Sequence, residues 1–374
     1  MTAMQPAVGA STSSDMTINL GPQHPSTHGV LRLMVALDGE YVKSCRPVIG
    51  YLHRGLERMM AARPYRQSVP FTDRLDYCAS LNSNLAISQA IERIGGMAVP
   101  ERAQYLRVML CEMNRIASHL IFFGTYAADI GATTAFLYAF RERERLLDLL
   151  EAYTGARLTY NWIRPGGVAS DMPEGYAQAV CAFLDGFLKE LDAYDTLLTK
   201  NPIFRVRTEG VGIISPEKAI AHGASGPVLR GSGVNIDLRR TEPYDAYPRM
   251  QFDVPVRTEG DCLARYLVRV EEMRQSARII RQCLREMPEG EHWGKQPKVF
   301  RPAAGEAYSR TESPRGELSI YLVSDGTANP VRVRVRGPSF VHLSMLHELV
   351  RGVKVADMIA ILGSLDTVLG EVDR

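Results

Sequence analysis

Apolar residues recur at three- and four-residue spacing from about Leu81 to Lys200, as in Leu106, Met109, Met113, Ile116 and Leu120, and this commits the middle of the chain to amphipathic helices. Pro100-Glu101 opens one helix, and Gly95-Gly96 closes its predecessor. A second long helix runs through RERERLLDLLEAYTG and ends at Gly155. A third occupies about Gly175 to Leu198, and Arg265 to Arg285 forms another. The two chain ends read differently. Between Met16 and Gly50 the residues Leu31, Leu33, Val35 and Leu37 alternate with others, and Asp38-Gly39 supplies a type I′ turn into Tyr41-Val42. Near the C-terminus Glu317 to Val323, an Asp325-Gly326 turn, and Val331, Val333 and Val335 alternating with Arg332, Arg334 and Arg336 predict a second hairpin. A helix after Pro338 carries His342 and His347. The expected class is α+β: a central helical bundle with β-hairpin elements at both ends.

At 374 residues and 45% hydrophobic content the chain can bury one large core or two modest ones. No repeat or polar linker marks a boundary, so residues 16–374 read as a single domain, with 1–15 (MTAMQPAVGASTSSD) a flexible tail unlike a secretory or transit signal. The net charge of +2, with arginines spread rather than massed, argues against nucleic acid as a partner. The six cysteines, Cys45, Cys78, Cys111, Cys181, Cys262 and Cys283, contain no CxxC pair, and read as reduced small hydrophobes in a cytosolic compartment. Ile121 to Phe140 is about long enough to span a bilayer, but two glycines, three threonines and Asp129 predict two buried helical pieces joined at a turn.

GxSxG, GxxxxGK[ST], HExxH and a Rossmann glycine turn are all missing, so the chain is not expected to handle a nicotinamide itself. Polar groups concentrate instead between His24 and Arg74, in HPSTHG, YLHRGLER and PFTDRLDYC. Pro25 pushes His24 into extended backbone, which places both histidines of GPQHPSTHG on a loop or strand end. Histidine exchanges protons near neutral pH, and tyrosine can donate one to a strongly basic, newly reduced oxygen. Proton donors without a nucleophile or metal suit a redox ligand.

GPQHPSTHGVLRL, GYLHRGLER, DRLDY, IRPGGV, LRGSGVNIDLR-TEPYD and GSLDTVLGEVDR follow one another from about residue 16 to the terminus. Together they resemble the successive signatures of the large peripheral-arm subunit of respiratory complex I, the 49 kDa or D subunit. That family is similar in turn to the large subunits of membrane-bound [NiFe] hydrogenases, in which one cysteine pair follows DR and another follows SLDP. On this sequence the first pair falls at Asp76 and Ala79 and the second at Val368 and Glu371, so all four thiolates are missing. Nickel and low-valent iron need such soft ligands, and Cys78, one place off the pattern, does not restore them.

What the resemblance implies in place of the metal is a quinone-headgroup site. Tyr77 and His28 match the pair that hydrogen-bonds the two quinone carbonyls, and Asp129 matches the acid that holds the histidine. A carboxylate partner raises the imidazole pKa and orients the ring, so that His28 arrives protonated. Arg54 and Arg74 match arginines facing a [4Fe-4S] cluster that belongs to the neighbouring small subunit, where a fixed positive charge favours the reduced cluster. The implied protein is a subunit of a proton-translocating NADH:quinone oxidoreductase, active only in the assembled complex. Its expected partners are the small iron-sulphur subunit, other peripheral-arm subunits and the membrane arm. Its expected place is peripheral, on the cytoplasmic face of the bacterial inner membrane, with quinone as substrate and no metal of its own.

Plainer readings stand beside these. Taken singly, Tyr77 suits a packed aromatic with a satisfied hydroxyl, Asp129 a helix N-cap or turn acid, and Arg54 and Arg74 solvated or carboxylate-paired arginines. His24 and His28, four apart, suggest a zinc pair only until Pro25 and the missing third ligand are considered. One departure concerns Thr159 in GARLTYNWIRPGG, where many members of the resembled family carry a histidine thought to couple cluster reduction to proton uptake. Threonine cannot titrate, so the resemblance predicts a cluster potential with weak pH dependence, suited to a low-potential quinone such as menaquinone. Two rivals complete the set: a true hydrogenase-type large subunit, and a scaffold that kept the fold without the chemistry.

Overall fold

The computed structural model describes residues 16–24, 27 and 29–374; the expected tail at 1–15 and the candidate His28 lie outside the described residues. Its six longer helices are α1 (Ser80–Gly95), α2 (Glu101–Asp129), α3 (Thr133–Thr154), α4 (Tyr176–Tyr194), α5 (Cys262–Glu286) and α6 (Val355–Leu365). Helix α2 is the axis and packs against α1, α3, α5 and α6. It is buried on every side, with Leu106, Met109, Met113, Ile116 and Leu120 forming one apolar face. The ionisable residues it buries have partners: Arg107 meets Glu92, Arg115 meets Glu112, and His119 meets Glu272. Unpaired, either arginine would carry a desolvation cost of several kcal/mol, on the order given for buried ions. The apolar stretch 121–140 does divide into two helices, at Ile130–Ala132, where Gly131 takes φ 95°.

The N-terminal sheet has antiparallel strands β1 (Met16–Leu20), β2 (Arg32–Asp38) and β3 (Tyr41–Val48) in that order. Here the structure corrects the expected turn. Asp38 pairs with Tyr41, so the loop is Gly39-Glu40 and only Gly39 has positive φ, whereas a type I′ turn needs it at both central residues. Packing explains the shift: the observed register, with its bulge at Ala36/Leu37, sets buried Leu37 opposite buried Val42 and Val35 opposite Cys45. A turn one residue earlier would place Glu40 opposite Leu37.

Strands β4 (Ile163–Arg164) and β5 (Gly167–Val168) form a small ribbon from the IRPGGV segment. The C-terminal sheet has three strands rather than a hairpin: β6 (Gly305–Ser313), β7 (Gly316–Ser324) and β8 (Arg332–Arg336). Strand β6 escapes the hydrophobic pattern because its inward Ser309 and Thr311 are polar, their hydroxyls donating to Ala86 O at 2.9 Å and Leu318 O at 3.3 Å. Leu318, Ile320, Leu322, Val333 and Val335 cover a second core cluster with Ala86, Ile87, Ala90 and Ile91 of α1. Burial of each large aliphatic there contributes about 1.5–3 kcal/mol. Leu56, Met60, Tyr65, Val69 and Leu75 belong to the same cluster, and this fixes the segment that carries the candidate residues.

Candidate functional site

The DRLDY segment is a turn between the short helix Val69–Thr72 and α1. Asp73 is buried, and its Oδ1 accepts from Asn84 Nδ2 at 2.9 Å and from the Asn161 amide at 3.4 Å. Burial raises its pKa, while Asn84, Asn161 and Arg74 oppose the rise. Arg74 is half exposed; its Nη1 donates to Pro70 O at 2.9 Å and lies 3.6 Å from Asp73 Oδ2. Asp76 turns inward, accepting from the Cys78 amide at 3.2 Å. Tyr77 turns outward and is 38% exposed.

Tyr77, Arg54 and Arg74 line one cleft of about 250 Å³, together with Leu52, Leu56, Gly370 and Arg374. Desolvation pushes the Tyr77 phenol up to about 12; the neighbouring Cys78 and Asp76 reinforce this and Arg315 opposes it. The hydroxyl therefore keeps its proton throughout the neutral range. Such a group can donate but does not ionise at rest.

The chain end positions Arg54. Asp373, in the short helix Leu369–Asp373, takes the Gly50 amide at 2.8 Å on Oδ1 and the Leu52 amide at 2.7 Å on Oδ2, and its carbonyl lies 2.6 Å from His53 Nδ1. Charge-assisted bonds to backbone amides are the strong kind, and here they tie GYLHRGLER to GEVDR. Arg374 lies over the Phe340 ring at 5.0 Å and 3.7 Å from Glu57.

Beneath the cleft lie the four positions where the hydrogenase pattern has cysteines: Asp76, Ala79, Val368 and Glu371 are all buried. A guanidinium stands among the acids. Arg315 Nη1 donates to Asp76 Oδ2 at 2.7 Å and to Ser118 Oγ at 2.9 Å, and Arg315 Nη2 donates to Asp366 Oδ1 at 3.1 Å. A fixed cation bonded to these carboxylates, with hard oxygen donors where thiolates would be needed, does not fit a nickel–iron centre.

Asp129 ends α2, ahead of the turn into α3, so it is not the N-cap of that helix, which is Ala132. A methyl group on Gly363 of α6 would stand 3.2 Å from Asp129 Oδ2. Gly29, next to His28 in sequence, touches the same C-terminal segment: a methyl there would meet Leu369 Cδ1 at 3.2 Å. Thr27 Oγ1 lies 2.7 Å from His24 O and 2.9 Å from Gly29 O. Segment 363–370 thus touches Asp129, Gly29 and, through Gly370, the Tyr77 ring. Tyr77, Arg54 and Arg74 share the cleft; Asp129 lies outside its lining.

The family model described as the respiratory-chain NADH dehydrogenase, 49 Kd subunit, matches residues 129–303 and 293–374. The NADH-quinone oxidoreductase D subunit of Desulforamulus reducens is 52% identical over 361 residues, which is 96% of this chain and 99% of that protein. The corresponding D subunit of Geobacillus kaustophilus is 50% identical over 96% of this chain and 99% of its own length. In Koribacter versatilis the D subunit numbered 2 is 48% identical over 99% of this chain and 98% of its own length. The chain belongs to this 49 kDa subunit family. It is one component of a multisubunit oxidoreductase, the respiratory NADH dehydrogenase or complex I. No helix among the described residues is long and apolar enough to cross a membrane.

The complex I subunit has an unusual backbone in the loop ahead of its IRPGGV ribbon. Thr159 takes φ 53° and Asn161 φ 46°, both left-handed, and such a φ is a true outlier for a β-branched residue. The Asn161 amide reaches Asp73, so this loop rests on the turn that carries Arg74. Sequence reasoning missed Arg315, Asp373 and Gly370 as parts of the site. Arg315 sits in a two-residue β turn in sequence, with nothing to signal that it points into the core. The GEVDR ending did carry a signal, as part of a family motif, but the role of its aspartate is visible only in the amides it meets.

Proposed function

We propose that the cleft lined by Tyr77, Arg54 and Arg74 receives a quinone headgroup, and that this chain supplies protons to the quinone as electrons arrive from the neighbouring small iron-sulphur subunit. The single observation that carries the reading is that a proton-bearing tyrosine and two arginines line one cleft next to buried Asp76, Ala79, Val368 and Glu371. At about 250 Å³ and open on one side, the cleft is smaller than the ~300–1,000 Å³ of self-sufficient ligand pockets, as expected of a half-site completed by a neighbour.

In this reading the Tyr77 hydroxyl hydrogen-bonds one quinone carbonyl and His28 the other. Two-electron reduction makes both oxygens strongly basic, and each takes a proton from its donor, giving the quinol. Asp129 orients His28 and favours its protonated form. Arg54 and Arg74, both exposed, face the [4Fe-4S] cluster of the small subunit and stabilise its reduced state. Thr159 in place of a titratable side chain gives that cluster a potential with weak pH dependence, suited to a quinone such as menaquinone. The chain, read as one domain over 16–374, joins the other peripheral-arm subunits and the membrane arm on the cytoplasmic face of the bacterial inner membrane.

Tyr77→Phe and His28→Ala in the assembled complex are the test. Each should lower NADH:quinone turnover by about 10²-fold, the lower end of general acid catalysis, while NADH oxidation by an artificial acceptor is retained. Unchanged quinone turnover in both variants would make the chain a scaffold and overturn the reading.

A further inference from the structure

Strand β8 alternates arginine with valine, and a period of two divides its side chains between two faces. Val333 and Val335 are buried in the second core cluster, so Arg332 and Arg334 stand on the outer face, each more than half exposed. Beside them the short helix Leu56–Ala61 contributes Glu57 and Arg58, and the chain end contributes Asp373 and Arg374. Together these residues line a cleft of about 440 Å³. It sets the four guanidiniums of Arg58, Arg332, Arg334 and Arg374 against the carboxylates of Glu57 and Asp373.

Neither carboxylate satisfies these cations. Both Asp373 oxygens are taken by the Gly50 and Leu52 amides. Glu57 Oε1 accepts the Val335 amide at 2.9 Å, and the guanidiniums around the same carboxylate stand farther off, Arg334 at 3.3 Å, Arg332 at 3.6 Å and Arg374 at 3.7 Å. A charge-assisted bond closes to about 2.7–2.9 Å, so one carboxylate is shared by three cations without fully bonding any of them. Arg58 forms no ion pair among the described residues. Burial first and the like charge of Arg334 second lower the Arg374 guanidinium, as expected where positive charge is in excess. The cleft thus presents spare N–H donors in forks that match a carboxylate.

A protein surface, not a free anion, fits what surrounds the cleft. Arg374 also lines the Tyr77 cleft, and its guanidinium lies over the Phe340 ring at 5.0 Å. Phe340 and Ile49, each 41% exposed, border an apolar groove of about 370 Å³. Exposed aromatic and aliphatic side chains edged by arginines are the composition of a protein–protein interface. We propose that the arginine cleft seats an acidic segment of the same neighbour that completes the Tyr77 cleft, read above as the small iron-sulphur subunit. Aspartate or glutamate side chains of that segment pair with Arg58 and Arg332, and apolar side chains beside them cover Phe340 and Ile49. This rests on the reading of the Tyr77 cleft as a half-site.

The test uses the assembled complex. Arg58→Lys and Arg332→Lys, made separately, keep the charge and place a primary amine in the cleft. A carbodiimide joins an amine to a carboxylate only where the two are paired. Mass spectrometry of the treated complexes should find the introduced amine linked to an aspartate or glutamate of the small iron-sulphur subunit, a link that wild type lacks. Links only to Glu57 or Asp373 of this chain, links to a different subunit, or no link in either variant would overturn the proposal. Arg332→Gln with Arg334→Gln should also speed release of the chain from membranes in high salt by about tenfold or more, the effect of losing interfacial charge pairs. An unchanged release rate counts against the docking site as decisively as a missing link. If that double variant fails to assemble, the cross-linking alone decides. Loss of bound phospholipid phosphorus from the double variant, with no link in the lysine variants, would assign the cleft to a lipid headgroup and reject the acidic segment. Links to the small subunit together with unchanged turnover in Tyr77→Phe and His28→Ala would keep the docking site and reject the quinone reading, and lost turnover without a link would do the reverse.

Discussion

Arg315 Nη1 lies 2.7 Å from Asp76 Oδ2, and both side chains are buried. Asp76 is one residue from the tyrosine of the cleft, while Arg315 comes from the β6–β7 turn, 239 residues later in the chain. The same guanidinium holds Asp366, between α6 and the final short helix. Three distant segments therefore meet on one cation. The shape of the Tyr77 turn depends on all of them.

Arg315→Met should consequently be severe. It leaves Asp76 and Asp366 buried without their common partner, and breaking a buried ion pair from one side costs about 3–5 kcal/mol. The amount of this chain incorporated into membrane-bound complex should fall steeply. Adding Asp76→Asn to the same chain should restore part of it, because a neutral amide tolerates burial better than an uncompensated carboxylate. A double variant no better incorporated than the single one would show that the charge balance is not what the arginine supplies.

Asp373→Ala should loosen the Arg54 loop and little else. The carboxylate satisfies two backbone amides, Gly50 and Leu52, and charged hydrogen bonds of this kind contribute about 1.5–3 kcal/mol each before compensation by water. Hydrogen exchange should quicken by about tenfold or more at Gly50 and Leu52 while β3 keeps its protection. Equal acceleration along β3 would mean that the contact holds the sheet, not the loop.

A pH effect of definite sign is expected at Asp245. Desolvation raises its carboxyl to about 6, with Glu92 adding to the rise and Arg107 and Gln89 opposing it. A carboxyl raised from its ordinary 3.8 binds protons more tightly in the folded state, so its contribution is fully present below pH 3.8 and is lost as pH rises through 6. Asp245→Asn mimics the protonated form. It should flatten that decline and, at pH 7, protect the Arg107 region by about 3 kcal/mol relative to wild type, a figure that already includes the 3.5 Å Arg107 contact. Hydrogen exchange around residues 89–107 at pH 5 and pH 8, corrected for intrinsic rates, measures it. Greater protection of the wild type at pH 8 than at pH 5 would reverse the sign and reject the argument.

The helices were legible because their signals are local. The periodicity of α2, Gly96 and Gly155 as left-handed caps, and the turn at Ile130–Ala132 lie within a few residues of the elements they define. Strand β6 was not, because its inward serine and threonine are satisfied by partners in α1 and β7 that its own sequence does not contain. The site divides in the same way. Tyr77, Arg54 and Arg74 could be named from the motifs that carry them. Arg315 and Asp373 could not, since their roles consist of contacts across more than 200 residues of chain. The Gly39-Glu40 turn failed for the same reason: its register is set by which residues of β2 and β3 face the core, not by the Asp-Gly pair.

Gly370 is the position where a single methyl group should separate the cleft from the fold. Its neighbours are backbone: a Cβ would lie 2.6 Å from both Arg74 O and Leu75 O, and 3.3 Å from Tyr77 Cδ1. Carbonyl oxygens of a turn cannot rotate aside, so Gly370→Ala must push the C-terminal helix away from the Tyr77 turn at a cost of about 1–3 kcal/mol, the range for overpacking. Quinone turnover should drop and the KM for quinone should rise, because the tyrosine and the arginines no longer share one geometry, while NADH oxidation by an artificial acceptor continues. Gly186→Ala in α4 is the control. A Cβ there meets nothing within 4 Å, and alanine in a helix interior gains about 0.5–1 kcal/mol over glycine, so that variant should be neutral or slightly more stable with unchanged kinetics. Wild-type kinetics in Gly370→Ala would mean that the final helix can shift without moving Tyr77, and that the cleft is not held in the way its contacts imply.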